Sequence, residues 1–256
     1  MRQLAAFTKK EFMEIIRTGK VYILLILFVI FGIMSPAIAK LTPWMYDMLA
    51  DSMKDQGITI GKTVVTALTS WQQYYKNMSM EFIAFVVMFC GVLTLEYQKG
   101  TLINMLTKGL PRWKVIVSKY LAVLISWSIC YLLCFGITYG YNAYFWDNST
   151  AKHCVFAAFT SYLFGLWLIS LIMLFSSLLN TSTAVLLATG LMYAVVLLLG
   201  MIPKLVDLLP TKLTRGVELL AGATKIQDYT LAIVVTIVLI VISGIVTIIH
   251  FNHKRI

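Results

Sequence analysis

Few residues of this chain could do chemistry, and one dense group of charged ones gathers in a single short run. The stretch Leu95 to Tyr120, LEYQKGTLINMLTKGLPRWKVIVSKY, carries Lys99, Lys108, Arg112, Lys114 and Lys119 with a single carboxylate, Glu96. Positive charge beside long apolar runs marks a cytoplasmic flank. The run GITIGKT, Gly57 to Thr63, imitates a phosphate-binding loop. A true one needs four residues between its glycines, and only Ile58, Thr59 and Ile60 stand there. There is no H-E-x-x-H, no pair of aspartates within an apolar run and no histidine near the middle of one, so neither a metalloenzyme nor an intramembrane acid protease is indicated. Cys90, Cys130, Cys134 and Cys154 form no C-x-x-C or Cys/His pairing and read as small core residues. Glu81, Glu96 and Lys119 are all expected near span ends. Ion-coupled transporters keep such groups near the bilayer midplane, so gradient-driven transport is not expected.

The elements that must position these residues are membrane helices. The chain has 256 residues, 60% of them hydrophobic and 12% charged, with a mean hydropathy of +0.85. An all-α integral membrane protein follows, because apolar runs long enough to cross a core of roughly 30 Å recur without a barrel's alternation. The net charge of +10 is explained by basic cytoplasmic flanks, so the lipid bilayer and not nucleic acid is the expected partner. The first apolar run follows a basic segment, but it is too long for a signal-peptide core and leads into further spans.

Six spans are predicted within one transmembrane domain, residues 1–256: about 21–39, 78–95, 115–139, 155–179, 184–202 and 229–249. The first is expected to end at Pro36 and Lys40. A polar stretch, Lys40 to Asn77, follows as an external loop, edged by Trp44, Tyr46, Trp71, Tyr74 and Tyr75 as an interfacial belt. Lys119 is expected to snorkel to the headgroups. Cys154 to Ile202 holds no charged residue and is long enough for two spans; the break is placed at SSLLNTST, Ser176 to Thr183. Pro203 to Asp228 is too polar to span and too apolar for a free loop, which suggests short interfacial or re-entrant helices. Six spans put both termini on one side, and their basic flanks make it the cytoplasmic side.

Residues 1–20 read as an amphipathic interfacial helix. Leu4, Phe12, Ile15 and Ile16 share one half and Lys10, Glu14 and Arg17 the other, while Glu11 falls near the apolar half and blurs the pattern. In the basic run, Glu96 to Lys108 predicts a short helix with Leu95, Leu102 and Leu106 on one face. Gly109 would stop it, and Pro111 would start the next helix.

That run resembles the signature of permease subunits of type-2 ABC exporters, in which an acidic residue precedes Gly-Thr-Leu, then come a leucine pair, Arg, often Trp, and Lys. Glu96, Gly100, Thr101, Leu102, Leu106, Arg112, Trp113 and Lys119 fall at matching offsets. Tyr97 stands where the family often has Arg, Gly109 where it has proline, and Pro111 where serine is usual. The resemblance implies a chain without an ATPase of its own. Two copies, as a homodimer or a related heterodimer, would pair with two cytoplasmic ATP-binding subunits, which hold the ATP and Mg.

The resemblance further implies that Gly100 to Lys108 is a coupling helix seated on the ATPase. Glu96, Gly100, Thr101, Leu102, Leu106, Lys108 and Arg112 would be the coupling residues. Glu96 would be a hinge-side acid, bonded to the N-terminal helix or the start of the third span through Arg17 or Arg112. The path for a lipophilic or amphipathic cargo would run between protomers, with Trp127 and Trp167 as candidate lining. The expected location is the plasma membrane of a bacterium. A non-transporting anchor or regulatory subunit that recruits a cytoplasmic partner is the alternative.

Overall fold

The computed structural model describes residues 2–54, 65–102, 107, 109 and 111–254. The loop lookalike Gly57 to Thr63 lies outside them, as do Leu106 and Lys108. Among the described residues the chain is helical, without strands. Helix α1, Arg2–Arg17, covers most of the first twenty residues. It packs Phe7, Ile15 and Ile16 against the core and ends at Gly19, whose φ of 75° is the left-handed conformation glycine adopts at little cost.

Helix α2, Lys20–Lys54, does not stop at Pro36; both Pro36 and Pro43 lie inside it. Its 35 residues make a rod of about 52 Å, well beyond the ~30 Å hydrocarbon core. A proline lacks the N–H that would bond the carbonyl four residues back, so Pro36 frees the carbonyl of Gly32. Thr138 Oγ1 donates to that oxygen at 3.0 Å, and the helix continues. Gly32 also lets its neighbour approach, since a Cβ there would stand 3.1 Å from the Cys134 carbonyl oxygen.

Helix α3, Ala67–Phe89, begins well before the expected Met78. Trp71, Tyr74 and Tyr75 are therefore core residues and not an interfacial belt. Trp71 meets Tyr74 edge-on and packs against Phe135, while the ring of Tyr75 lies so close to Gly216 that a Cβ would collide with it. Trp44 and Tyr46 stay exposed, as a belt requires. After the turn at 90–93 comes α4, Thr94–Lys99.

Helix α5 runs from Arg112 to Phe145, six residues past the expected span end at 139, with Pro111 as its N-cap. Helices α6, Cys154–Leu178, and α7, Ser182–Leu199, share the long uncharged region. The break falls within the predicted Ser176–Thr183 segment, with the Thr181 side chain accepting from the Ala184 N–H as an N-cap.

Residues 203–229 fold into a 3-10 turn at Val206–Leu208, another at Pro210–Thr214, α8 at Gly216–Leu220 and a last 3-10 turn at Ile226–Tyr229. This segment is a packed cap, not a set of loose interfacial pieces: Leu213, Leu219, Leu220 and Tyr229 are buried, and Lys212 is buried against Asp207 at 2.9 Å. Helix α9, Thr230–His253, ends the described chain.

Six of these helical stretches are long and apolar enough to cross a membrane. The most enclosed is α6, with α7 and α9 on the outside of the bundle. At its centre Trp127 packs against Phe28, Phe82, Phe85 and Tyr131. Gly165 of α6 makes room for that indole, because a Cβ there would lie 2.2 Å from it.

Candidate functional site

At the end of the bundle where α2 begins and α3 ends, three helices bring opposite charges together out of water. Lys119, in the third turn of α5, is 2% exposed. Its Nζ bonds Glu11 Oε2 of α1 at 2.7 Å and Glu96 Oε1 of α4 at 2.9 Å. A second ammonium, Lys10 Nζ, reaches Glu11 Oε1 at 3.0 Å, Glu96 Oε1 at 3.4 Å and Glu14 Oε2 at 2.7 Å. Charges buried this way are tolerated because each is paired and hydrogen-bonded.

Burial alone would pull the Lys10 pKa down, but the hydrogen bond to Glu14 and the charges of Glu11 and Glu96 outweigh it and raise it. Burial pushes Glu14 up, and the hydrogen bond and charge of Lys10 outweigh that to hold it below its ordinary value. A cavity of about 260 Å³ adjoins the cluster, lined among others by Glu14, Lys20, Glu96, Lys99, Thr101 and Lys119. The carboxylates of Glu11, Glu14 and Glu96 lie close enough together to hold a metal ion. The two ammonium groups already supply positive charge at that point.

The expected coupling residues are partly regrouped by the geometry. Glu96 joins the N-terminal helix to the start of the third span, but through Lys10 and Lys119 and not through Arg17 or Arg112. Arg17 is exposed. Arg112 Nη1 instead donates to the carbonyls of Phe251, Asn252 and Lys254. Lys119 does not snorkel, because two carboxylates hold it inside.

The helix expected from Glu96 to Lys108 is interrupted. Gly100 has a φ of 64° and closes α4, its N–H donating to the Tyr97 carbonyl. Thr101 and Leu102 resume helical geometry beyond it. Leu102 is buried and Leu95 largely exposed, so the two do not share one packed face. Thr101 is exposed beside the cavity. Trp127 and Trp167, expected to line the cargo path, are enclosed in the protomer core and reach no surface of the chain.

Glu81 departs furthest from expectation. With α3 starting at Ala67, it lies inside the span and is 0% exposed, Oε1 accepting from the Cys134 thiol at 3.2 Å.

Sequence reasoning missed Lys10 and Lys119 as the cations that pair with Glu96, and Glu11 as the carboxylate that shares both of them. The usable signal was the misfit of Glu11 on the apolar half of α1, together with a lysine at the fifth position of the predicted span 115–139. Each is costly alone, and each answers the other.

The same end of the bundle gathers further ties. Lys254 Nζ donates to the Ser177 carbonyl at 2.8 Å and sits 4.3 Å over the Tyr97 ring. The hydroxyls of Thr94 and Ser182 share a hydrogen bond of 2.8 Å. Helix α1, α4, the start of α5, the α6–α7 turn and the end of α9 thus form one connected platform.

Six membrane-length helices, with an N-terminal helix and a charged hairpin locked to it, define a multi-pass membrane protein. Residues 5–220 match the family model described as ABC-2 family transporter protein, and the chain belongs to that family, as a permease component. The family implies partnership with an ATP-binding subunit in a transporter. A search of curated proteins found no match.

Proposed function

We propose that the chain is the membrane-spanning permease of an ATP-driven exporter, with its charged platform in the cytoplasm of a bacterial cell and seated on separate ATP-binding subunits. The observation that carries this is the buried set Glu11–Lys119–Glu96. It fixes the short helix of the hairpin to both the entry helix and the third span, so a push on the hairpin moves three elements as one body. A rigid lever of this kind suits the conversion of nucleotide-driven closure into a change of state of the spans.

Two permease copies, identical or related, enclose the path, and two ATPase subunits bind below them and hold ATP and Mg. The open faces of α3 and α7 are apolar: Ile83 and Val87 on one, Leu187, Leu191 and Val195 on the other. That suits a lipophilic or amphipathic cargo such as a drug, a peptide antibiotic or a lipid-like molecule, and a role in antibiotic resistance. Gly100, Thr101, Leu102, Leu106, Lys108 and Arg112 form the coupling region with Glu96.

The test is reconstitution of permease and ATPase in proteoliposomes. Glu96→Ala and Gly100→Pro are expected to leave the complex assembled and hydrolysing ATP while transport falls severalfold or more. Full transport in both variants, or none by the unaltered protein with any amphipathic cargo, would count for a non-transporting anchor instead.

A further inference from the structure

We propose that Glu81 is a proton-exchange site in the membrane core of the permease, reached by water along a polar stripe from the end of the bundle opposite the charged platform. Ser70, Tyr74, Asn77 and Glu81 follow one another at i, i+4, i+7 and i+11 on α3, the spacing of a single helix face. On α5, Cys134, Thr138 and Asn142 make a matching stripe at i, i+4 and i+8. Three contacts knit these stripes to each other and to α2: Cys134 to Glu81, Thr138 to the Gly32 carbonyl, and Asn77 Nδ2 to Ser35 Oγ at 3.2 Å.

Along this run, enclosed polar atoms stand without protein partners: Ser70 Oγ, Glu81 Oε2 and both ends of the Asn142 amide. Buried polar groups in proteins are satisfied by protein or by ordered water. A file of water molecules on these atoms completes the set and joins Glu81 to the far end of the bundle.

The titratable groups near Glu81 are Tyr74 on its own helix and Cys130, Tyr131 and Cys134 on α5. At this level α2 presents Phe28 and Gly32, and α6 presents Phe164. Among the described residues no lysine, arginine or histidine is bonded to Glu81. An enclosed carboxylate facing no cation is costly in a membrane, so the closed bundle favours the carboxylic acid.

When the helices part and water enters, the O–H bond breaks, the proton passes to water as hydronium, and the carboxylate is left to be hydrated; closure reverses the step. The site is fully enclosed and one of its oxygens is already taken by a thiol, so the cation it admits is a proton and not a metal or an amine. Expected from sequence near a span end, Glu81 gave no reason to look for such chemistry. Its depth in α3 supplies one.

Infrared difference spectroscopy of the full chain in lipid bilayers, without partner or ATP, tests this. The unaltered protein is expected to show the carbonyl band of a protonated carboxylic acid that is lost in Glu81→Gln and shifts when H2O is replaced by D2O. If Glu81→Gln does not assemble, Glu81→Asp keeps the acid, moves the band and assigns it. Asn142→Leu is expected to keep the band and slow its shift several-fold. A band absent from the unaltered protein, one that never shifts in D2O, or one that shifts at an unchanged rate in Asn142→Leu overturns the proposal. None of these outcomes bears on the coupling role of Glu96.

Discussion

Lys119 and Glu11 show how a residue that looks misplaced by itself becomes legible in a pair. Lys119 interrupts an apolar span and Glu11 interrupts an apolar helix face, and at 2.7 Å each removes the other's cost. Lys119→Met would leave Glu11 and Glu96 buried without their main cation. Breaking a buried pair in this one-sided way costs about 3–5 kcal/mol, so a marked drop in the thermal midpoint of the detergent-solubilised protein is expected. The double change Glu11→Gln with Lys119→Gln should lose less than the two single changes summed.

A pH response follows from Glu14. Its folded pKa is depressed, so its contribution is full above the ordinary carboxylate range and is lost as pH falls through the folded value. Amide protection factors across α1 should therefore fall in acid, and Glu14→Gln should abolish most of that pH dependence. The composition and charge pattern place these residues at one membrane face. Their pairing was hidden because the partners lie far apart in sequence, Glu96 and Lys10 being 86 positions from each other.

At the scale of elements, the number and order of the spans and the break between α6 and α7 could be read directly, since each depends on long uncharged runs or on local hydroxyl caps. The lengths could not. Pro36 and Lys40 read as stops, and the polar residues from Lys40 to Asn77 read as loop, because local rules do not see a neighbour that can repair a helix. Thr138 is such a neighbour, and it makes a specific prediction. Thr138→Val keeps the shape but leaves the Gly32 carbonyl without a donor, at a cost of about 1–3 kcal/mol for an unsatisfied buried group. Faster amide exchange confined to α2 around Pro36 is the expected signature. Likewise, Trp71 and Tyr75 could not be told from an interfacial belt until the 203–229 cap was seen resting on the same end of α3.

For the whole molecule, the platform at one end is the main result. The entry helix, the hairpin, the α6–α7 turn and the end of α9 are joined by ion pairs, by the Arg112 bonds to the last carbonyls and by Lys254 on Tyr97. No single local motif announces such a platform, because each tie crosses from one span to another. The family resemblance located its centre at Glu96, and the geometry supplied the partners. A force applied to the hairpin is thereby shared among four of the six spans and does not bend one loop.

Three indoles, Trp71, Trp127 and Trp167, are sealed in the protein, while Trp113 is 44% exposed beside the hairpin and Trp44 is 61% exposed toward the other end of α2. The chain therefore carries a lamp at each face. In vesicles where every copy points the same way, a membrane-impermeant quencher should dim Trp44 from one compartment and Trp113 from the other, with Trp44→Phe and Trp113→Phe identifying each signal. With the platform cytoplasmic, and with the half-buried Trp146 replaced by Phe throughout, quencher on the outside of right-side-out vesicles should dim Trp44 and spare Trp113, and the fluorescence of the unlabelled protein reports which way it is inserted.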